Sequence, residues 1–295
     1  MKKALIVFLS LLLLVPVLAG AETVVTSFYP IWILTLSLTD GVDGVEVVNL
    51  AEPSTGCLHD YSLQNSDMVV LSGADALLVN GAGMETFLPV IAAACPDLPV
   101  IDATAGLPFL SESGIIEIGD SEDSGIVNSH LWMDPQRAAG MAANLADGLV
   151  QLLPDKAEQI MDNLEQFRNR LLALDETLRN EMKDTYRNVI VFHEAFPYFA
   201  EACGLRVAAV VNKEPEDELS SAGLSGILAL IAGSDPLPLI IKSTETDRSV
   251  EVLVAETGIA VCELDPLTSG PDNPPSDYYE TVMLHNMRLL QNAMK

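Results

Sequence analysis

The chain has 295 residues, a length that accommodates two domains of roughly 100–200 residues each. Apolar residues make up 49% of it, which is enough for large cores and excludes disorder as the dominant state. Lysine and arginine number 15 against 42 aspartates and glutamates, a formal net charge of −27. This charge repels phosphate backbones and so argues against nucleic-acid binding, whereas it attracts cations. Solubility or life in a salty habitat also accounts for it.

The first 21 residues have the features of a signal peptide. Two lysines at positions 2–3 precede an apolar run over 4–18, and an A-x-A cleavage site follows at 19–21. The run is short for a bilayer span, which needs about 20 residues, and an uncleaved N-terminal anchor is the alternative. Because no cysteine lies near the cleavage site, we expect an exported, periplasmic protein without a lipid anchor.

Four cysteines follow the predicted signal peptide: Cys57, Cys95, Cys203 and Cys262. An even number of cysteines in an exported protein permits two disulfides, for which three pairings exist. The spacings of 38, 108 and 59 residues differ from the C-x-x-C pattern of zinc clamps and redox pairs. The sequence therefore favours a structural role for these cysteines and leaves their pairing open.

Short apolar segments that alternate with amphipathic segments predict an α/β fold. The strand candidates lie at 23–26, 45–51, 76–80, 100–102, 189–192, 207–211, 239–241 and 260–264. Such alternation is typical of βαβ units and a mainly parallel sheet. We therefore predict two lobes, at 22–154 and 187–295, each a mainly parallel sheet flanked by helices.

One long rigid helix, over 155–186, is predicted to join the lobes. Neither proline nor glycine occurs between 155 and 182, and Pro154 suits a first helical turn, where its missing N–H costs nothing. Apolar residues recur there at helical spacing, at Ile160, Leu164, Phe167, Leu171, Leu174 and Leu178. An ordinary packed helix of one larger domain is the alternative. By contrast, the acidic, glycine- and serine-rich segment 112–129 predicts a solvated loop.

Three of the four histidines stand where a strand or loop meets a helix. His59 and His193 follow strand candidates, His130 precedes a helix start, and Asp265 ends the last strand candidate. In open parallel sheets, ligands bind beyond the carboxyl ends of the strands. Three imidazoles and one carboxylate form a four-coordinate site suited to Zn²⁺, with Mn²⁺ or Fe²⁺ as alternatives. The spacings of 71, 63 and 72 residues form no local motif, so unrelated surface or core histidines are the alternative.

Five blocks of the sequence occur in the order found in a known family. They are Thr26-Ser27-Phe28-Tyr29-Pro30, His59-Asp60-Tyr61 with Ser66-Asp67, His130-Leu131-Trp132-Met133-Asp134-Pro135, Phe192-His193-Glu194-Ala195-Phe196 and Leu264-Asp265-Pro266-Leu267. Through most of its length the chain resembles the periplasmic solute-binding proteins of zinc and manganese ABC importers. The resemblance implies metal ligands at His59, His130, His193 and Asp265, and two α/β lobes joined by one long helix.

The same resemblance bears on the choice of metal. The third ligand in this family is often histidine in zinc binders and glutamate in manganese binders, so His193 favours zinc. Many zinc-uptake members carry a His-rich loop before the second ligand, whereas the corresponding segment here, 119–124, contains no histidine. Leu58 also cannot supply the extra carboxylate that some zinc members place before the first ligand. Zinc is therefore favoured, and manganese stays open.

These features predict an exported receptor, not an enzyme, that captures Zn²⁺ or Mn²⁺ as cargo between two lobes. The resemblance implies delivery to an integral-membrane permease with its cytoplasmic ATPase, and we expect the receptor to be a monomer. A manganese- or iron-specific receptor is the first alternative. A secreted metal-dependent hydrolase is a weaker one, since no H-E-x-x-H or G-x-S-x-G motif occurs. A siderophore, haem or cobalamin receptor, or an adhesin, is weaker too, because aromatic residues make up only 5% of the chain.

Overall fold

The computed structural model describes residues 21–51, 58, 61–110, 116–118, 127–185, 187–211, 219–244 and 247–295. Positions 1–20 of the predicted signal peptide lie outside the described residues, as do His59 and Cys57. Two parallel sheets flanked by helices occur within the described part, as the alternation of segments predicts. Over these same ranges no helix combines the length and the hydropathy that a bilayer crossing requires.

The first lobe is built on four parallel strands. These are β1 (Glu22–Thr26), β2 (Val45–Asn49), β3 (Ala76–Val79) and β4 (Val100–Asp102), in the spatial order β2-β1-β3-β4. The helices around them are α1 (Tyr29–Thr39), α2 (Asn65–Ser72), α3 (Leu88–Ala94) and α4 (Pro135–Leu152). The chain passes from β1 to β2 on one side and then to β3 on the other. A topological switch point, where α/β sheets bind ligands, therefore lies between β1 and β3.

The predicted long helix is α5 (Ala157–Met182), which follows a short 3-10 turn at Pro154–Lys156. Its predicted apolar stripe is buried at every position: Ile160, Leu164, Phe167, Leu171, Leu174 and Leu178. The helix packs against α1 and α4 of the first lobe and against the C-terminal helix of the chain. Its 26 residues span about 39 Å at 1.5 Å per residue. Because one continuous buried face joins these elements, α5 is a stiff connection between the lobes.

The second lobe is built on five parallel strands. These are β5 (Ile116–Ile118), β6 (Asn188–Phe192), β7 (Arg206–Val211), β8 (Leu239–Lys242) and β9 (Val261–Glu263), in the spatial order β5-β7-β6-β8-β9. The helices are α6 (Phe196–Ala202), α7 (Ser221–Ala232), α8 (Arg248–Thr257) and α9 (Tyr278–Ala293). The chain leaves β6 for β7 on one side and continues to β8 on the other. The switch point of this sheet thus lies between β6 and β8.

Strand β5 corrects the prediction of a loop over 112–129. Residues Ile116–Ile118 pair with β7 in parallel register, so a segment that precedes α4 belongs to the second sheet. A three-residue strand among glycines and acids is too short to show strand periodicity, and only the pairing with β7 reveals it. The other residues of that segment before 127 lie outside the described ranges.

The described cysteines do not form the disulfides that the even number of cysteines permits. Cys95, Cys203 and Cys262, the three cysteines within the described residues, are free thiols. Cys203 and Cys262 are buried, and desolvation raises the pKa of Cys262 to about 11. Both pack as small apolar side chains, which agrees with a structural role.

Candidate metal site

His130 lies on a tightly anchored segment that leads into α4. The following residues, Leu131–Met133, form a buried 3-10 turn. Asp134 then caps α4, its carboxylate accepting hydrogen bonds from the backbone N–H groups of Gln136 and Arg137. His130 itself is only 1% exposed. The buried turn and the helix cap together fix the backbone from which this imidazole projects.

His193 follows β6 directly and so lies at the switch point of the second sheet. Its backbone φ is +97°, in the left-handed region that residues with a side chain rarely adopt. Its N–H donates to the carbonyl of Val211, N to O 3.2 Å, and its Nδ1 accepts from the N–H of Ala195, also at 3.2 Å. Such a conformation costs about 1–3 kcal/mol and persists where surrounding contacts impose it, often at functional sites.

The imidazole rings of His130 and His193 pack edge to face. Their centroids are 5.5 Å apart and their planes meet at 78°. Aromatic rings border the pair, since Trp132 lies 4.9 Å from the His130 ring and Phe196 lies 6.4 Å from the His193 ring, centroid to centroid. Two of the four predicted ligands, which lie 63 residues apart in sequence, are therefore neighbours between the lobes.

Asp265 lies two residues beyond β9, on the same edge of the second sheet as His193. Its Oδ1 accepts a hydrogen bond from the N–H of Leu267 at 2.8 Å. Asn286 of α9 binds the backbone of Asp265 through two hydrogen bonds. Its Oδ1 accepts from the Asp265 N–H at 3.0 Å, and its Nδ2 donates to the Asp265 carbonyl at 2.7 Å. Burial raises the pKa of Asp265, while the Leu267 N–H and the nearby exposed His285 oppose that rise.

Trp132 fastens the segment of His130 to the segment of Asp265. Its indole Nε1–H donates to the carbonyl of Pro266, N to O 2.9 Å. The buried hydroxyl of Tyr279 donates to the carbonyl of Trp132 at 2.6 Å. The loop after β9 is thereby held against the turn before α4, which fixes the relative positions of two predicted ligands.

We expect Trp132→Phe to lower the free energy of unfolding by about 1–3 kcal/mol, because the Pro266 carbonyl loses a buried donor. Trp32→Phe is the matched control, since the Trp32 Nε1 has no hydrogen-bond partner among the described residues. Both changes shrink an indole to a phenyl ring, but only the first breaks a hydrogen bond. Urea unfolding of the metal-free variants measures the difference, and an equal loss in both would contradict the role of Trp132.

Three of the four predicted ligands, His130, His193 and Asp265, lie within the described residues. His59 lies outside the described residues. Within the described ranges, no group of three or more histidine, cysteine, aspartate or glutamate side chains is placed to hold one metal ion. The proximity of His130 and His193 is therefore observed, whereas metal binding by His59, His130, His193 and Asp265 stays a prediction. Asn128, which contacts His130, was not predicted from the sequence, because an isolated asparagine carries no metal-ligand signal.

Comparisons with known proteins agree with this architecture. The model of the family described as "ZnuA: Zinc-uptake complex component A periplasmic" matches residues 24–293. The chain is 26% identical over 273 residues to the high-affinity zinc uptake system protein ZnuA of Haemophilus ducreyi, covering 86% of this chain and 87% of that protein. It is 24% identical over 234 residues to the manganese-binding lipoprotein MntA of Halalkalibacterium halodurans, covering 78% and 75%.

The chain is also similar to a longer relative and to a solved structure. The chain is 25% identical over 285 residues to the zinc-binding lipoprotein AdcA of Streptococcus pneumoniae, which covers 93% of this chain but only 56% of that relative's length. A crystal structure of ZnuA superposes with a TM-score of 0.76 at 25% identity, covering 94% of this chain and 100% of that one. The chain therefore belongs to the zinc-uptake complex component A family, whose members are solute-binding proteins of metal ABC importers and not enzymes.

Proposed function

We propose that this protein is the extracytoplasmic receptor of an ABC importer and captures a divalent transition metal, zinc in preference to manganese, between its two lobes. The edge-to-face pair of His130 and His193 carries the proposal, because it presents two imidazoles from different lobes at one place. Imidazole nitrogen suits Zn²⁺, whereas Mn²⁺ favours carboxylate, carbonyl and water oxygens. With His59 and Asp265, the set would be three nitrogens and one carboxylate.

A closed set of four protein ligands suits a receptor that binds and releases its cargo. Catalytic zinc sites keep one position for water, whereas four protein ligands fill the tetrahedral shell. The stiff helix α5, packed on both lobes, favours capture with little relative motion of the lobes. The net charge of −27 would raise the concentration of cations near the surface and speed their arrival.

Delivery of the metal to an integral-membrane permease, coupled to a cytoplasmic ATPase, is part of the same proposal. It rests on membership of the family and on the predicted signal peptide, both of which support an exported, periplasmic receptor. A manganese- or iron-specific receptor on the same scaffold is the second candidate, and the lack of histidine in segment 119–124 favours it.

A thermal-shift titration of chelator-stripped protein, residues 22–295, tests the proposal. A ligand that binds only the folded state stabilises it by about 2.7 kcal/mol at one hundred times its dissociation constant. We expect a larger shift with Zn²⁺ than with Mn²⁺ and none with Ca²⁺, which controls for general attraction to the acidic surface. A larger shift with Mn²⁺ would overturn the choice of metal alone. No shift with Zn²⁺, Mn²⁺ or Fe²⁺ would overturn the proposed function.

A further inference from the structure

Asn128, two residues before His130, has a side-chain amide that contacts both metal-site segments. Its Oδ1 accepts a hydrogen bond from the backbone N–H of His130 at 3.0 Å and lies 3.1 Å from the Nδ1 of that imidazole. Its Nδ2 donates to the carbonyl of Glu194 at 2.7 Å. Glu194 directly follows His193, so one amide bridges the segments of the two paired histidines.

The orientation of this amide is determined at both ends. The backbone N–H of His130 can only donate, so the amide atom that faces it is the oxygen. The carbonyl of Glu194 can only accept, so the amide atom that faces it is the nitrogen. The Nδ1 of His130 faces the same oxygen as the backbone N–H and therefore carries the proton. In a neutral imidazole with a proton on Nδ1, the lone pair that can bind a metal is on Nε2.

The backbone of Asn128 is itself held in place by Tyr198. The hydroxyl of this fully buried tyrosine donates to the Asn128 carbonyl at 2.8 Å and accepts from the N–H of Leu110 at 3.1 Å. The guanidinium of Arg137 lies over the tyrosine ring, 4.8 Å from its centroid. The side-chain amide of Asn128 therefore projects from a backbone that Tyr198 holds in place independently of His130. Its hydrogen bonds can thus restrain the orientation of the His130 imidazole.

We propose that Asn128 is a positioning residue of the metal site. Its amide oxygen holds His130 in the Nδ1–H tautomer with Nε2 as the metal-binding atom, and its amide nitrogen ties that histidine to the backbone beside His193. Histidine ligands commonly donate their second ring N–H to an oxygen that fixes the ring and raises its basicity. The metal-binding part of this inference rests on the proposed function, whereas the tautomer does not.

Nitrogen NMR of the imidazoles in metal-free protein tests the tautomer directly. We expect the Nδ1–H form of His130 in the wild type and in Asn128→Asp, whose carboxylate still accepts from the ring. Asn128→Ala removes the acceptor, and we expect the Nε2–H form that imidazoles favour in water. Asn128→Ser is the second variant if alanine does not fold, because its shorter hydroxyl reaches the backbone N–H but not Nδ1. An Nδ1–H ring in the alanine or serine variant would overturn the proposal.

Chelator competition for Zn²⁺ tests the consequence for binding. We expect Asn128→Ala to weaken the affinity about 10–100-fold, the usual effect of losing such a partner, and Asn128→Asp to restore most of it. The control is Asn144→Ala, which likewise removes an amide that is hydrogen-bonded to backbone, here to the carbonyls of Ala103 and Ala105, but lies outside the site. An equal loss in this control would overturn positioning by Asn128. If the wild type binds no metal, the proposed function is contradicted. The NMR experiment would still decide the tautomer of His130, because it uses metal-free protein.

Discussion

Replacing His193 by alanine is expected to weaken Zn²⁺ binding by more than about 100-fold. Loss of an outer hydrogen-bonding partner of a ligand already costs about 10–100-fold, and loss of a ligand itself costs more. The same loss of Zn²⁺ affinity is expected for His130→Ala. The two rings are neighbours and each would supply one nitrogen to the metal, so neither can compensate for the loss of the other. Competition with a chelator of known affinity, at pH 7.5 and fixed ionic strength, measures both losses.

His285→Ala is the control for this experiment. This imidazole is exposed on α9, outside the predicted ligand set, and its removal is expected to change the Zn²⁺ affinity by no more than a few-fold. Thermal unfolding of each metal-free variant separates loss of a ligand from loss of the fold. Wild-type affinity in both His130→Ala and His193→Ala would show that the histidine pair does not bind the metal.

Zn²⁺ binding is expected to weaken as the pH is lowered. Imidazole must be deprotonated to bind a metal, and its ordinary pKa is about 6.5. Zn²⁺ affinity is therefore expected to fall as the pH drops below about 6.5, and to fall more steeply in the wild type than in His193→Ala, which has one imidazole fewer to protonate. The same competition assay at several pH values provides the comparison.

Much of the fold was accessible from the sequence because buried elements leave a simple pattern. A parallel strand covered on both faces reads as a continuous apolar run, as for β3 at Ala76–Val79. The buried face of α5 repeats at helical spacing from Ile160 to Leu178. All eight predicted strands are confirmed, with small differences at their ends. The proximity of His130 and His193 also follows the rule that ligands gather beyond the carboxyl ends of parallel strands.

The features that the sequence did not predict depend on contacts between residues that are distant in sequence. Strand β5 has only three residues and is defined by its pairing with β7. The left-handed backbone at His193 is imposed by its tertiary surroundings, since nothing in the local sequence requires φ of +97°. The role of Asn128 depends on local hydrogen bonds to His130 and on one to Glu194, 66 residues away. Composition and spacing do not encode such geometry.

The first sheet is fastened at its own switch point by a buried carboxylate. Glu85 is 4% exposed, and its Oε1 accepts from the Ser27 hydroxyl and the Asn80 N–H, each at 2.7 Å, while Oε2 accepts from the Gly81 N–H at 3.0 Å. Ser27 follows β1 and Asn80 follows β3, so the carboxylate joins the ends of the two central strands. Asn80 also donates to the carbonyl of Ser129, the residue before His130. Glu85 therefore supports the segment that carries this histidine.

Glu85→Ala is expected to lower the free energy of unfolding by about 2–6 kcal/mol, because two buried backbone N–H groups each lose a partner at about 1–3 kcal/mol. Glu85→Gln should cost less, since its amide oxygen still accepts from Ser27 and Asn80 while its NH₂ faces the Gly81 N–H. Glu46→Gln, on the exposed part of β2, is the control and should stay within about 0.5 kcal/mol of the wild type. Urea unfolding measures all three, and a cost for Glu85→Ala no larger than the control would contradict this role.

Titration of Glu85 gives this prediction a second, independent readout. Burial raises its pKa above the ordinary value of 4.5, although the three donors oppose the rise. For a group whose pKa is raised by folding, its contribution to stability is fully present below the ordinary pKa and is lost as the pH rises through the folded-state pKa. Between pH 4 and pH 7, the metal-free wild type should therefore lose stability relative to Glu85→Gln, which cannot ionise there. If the difference between the two proteins stayed constant over that range, the result would show that folding does not raise the pKa of Glu85.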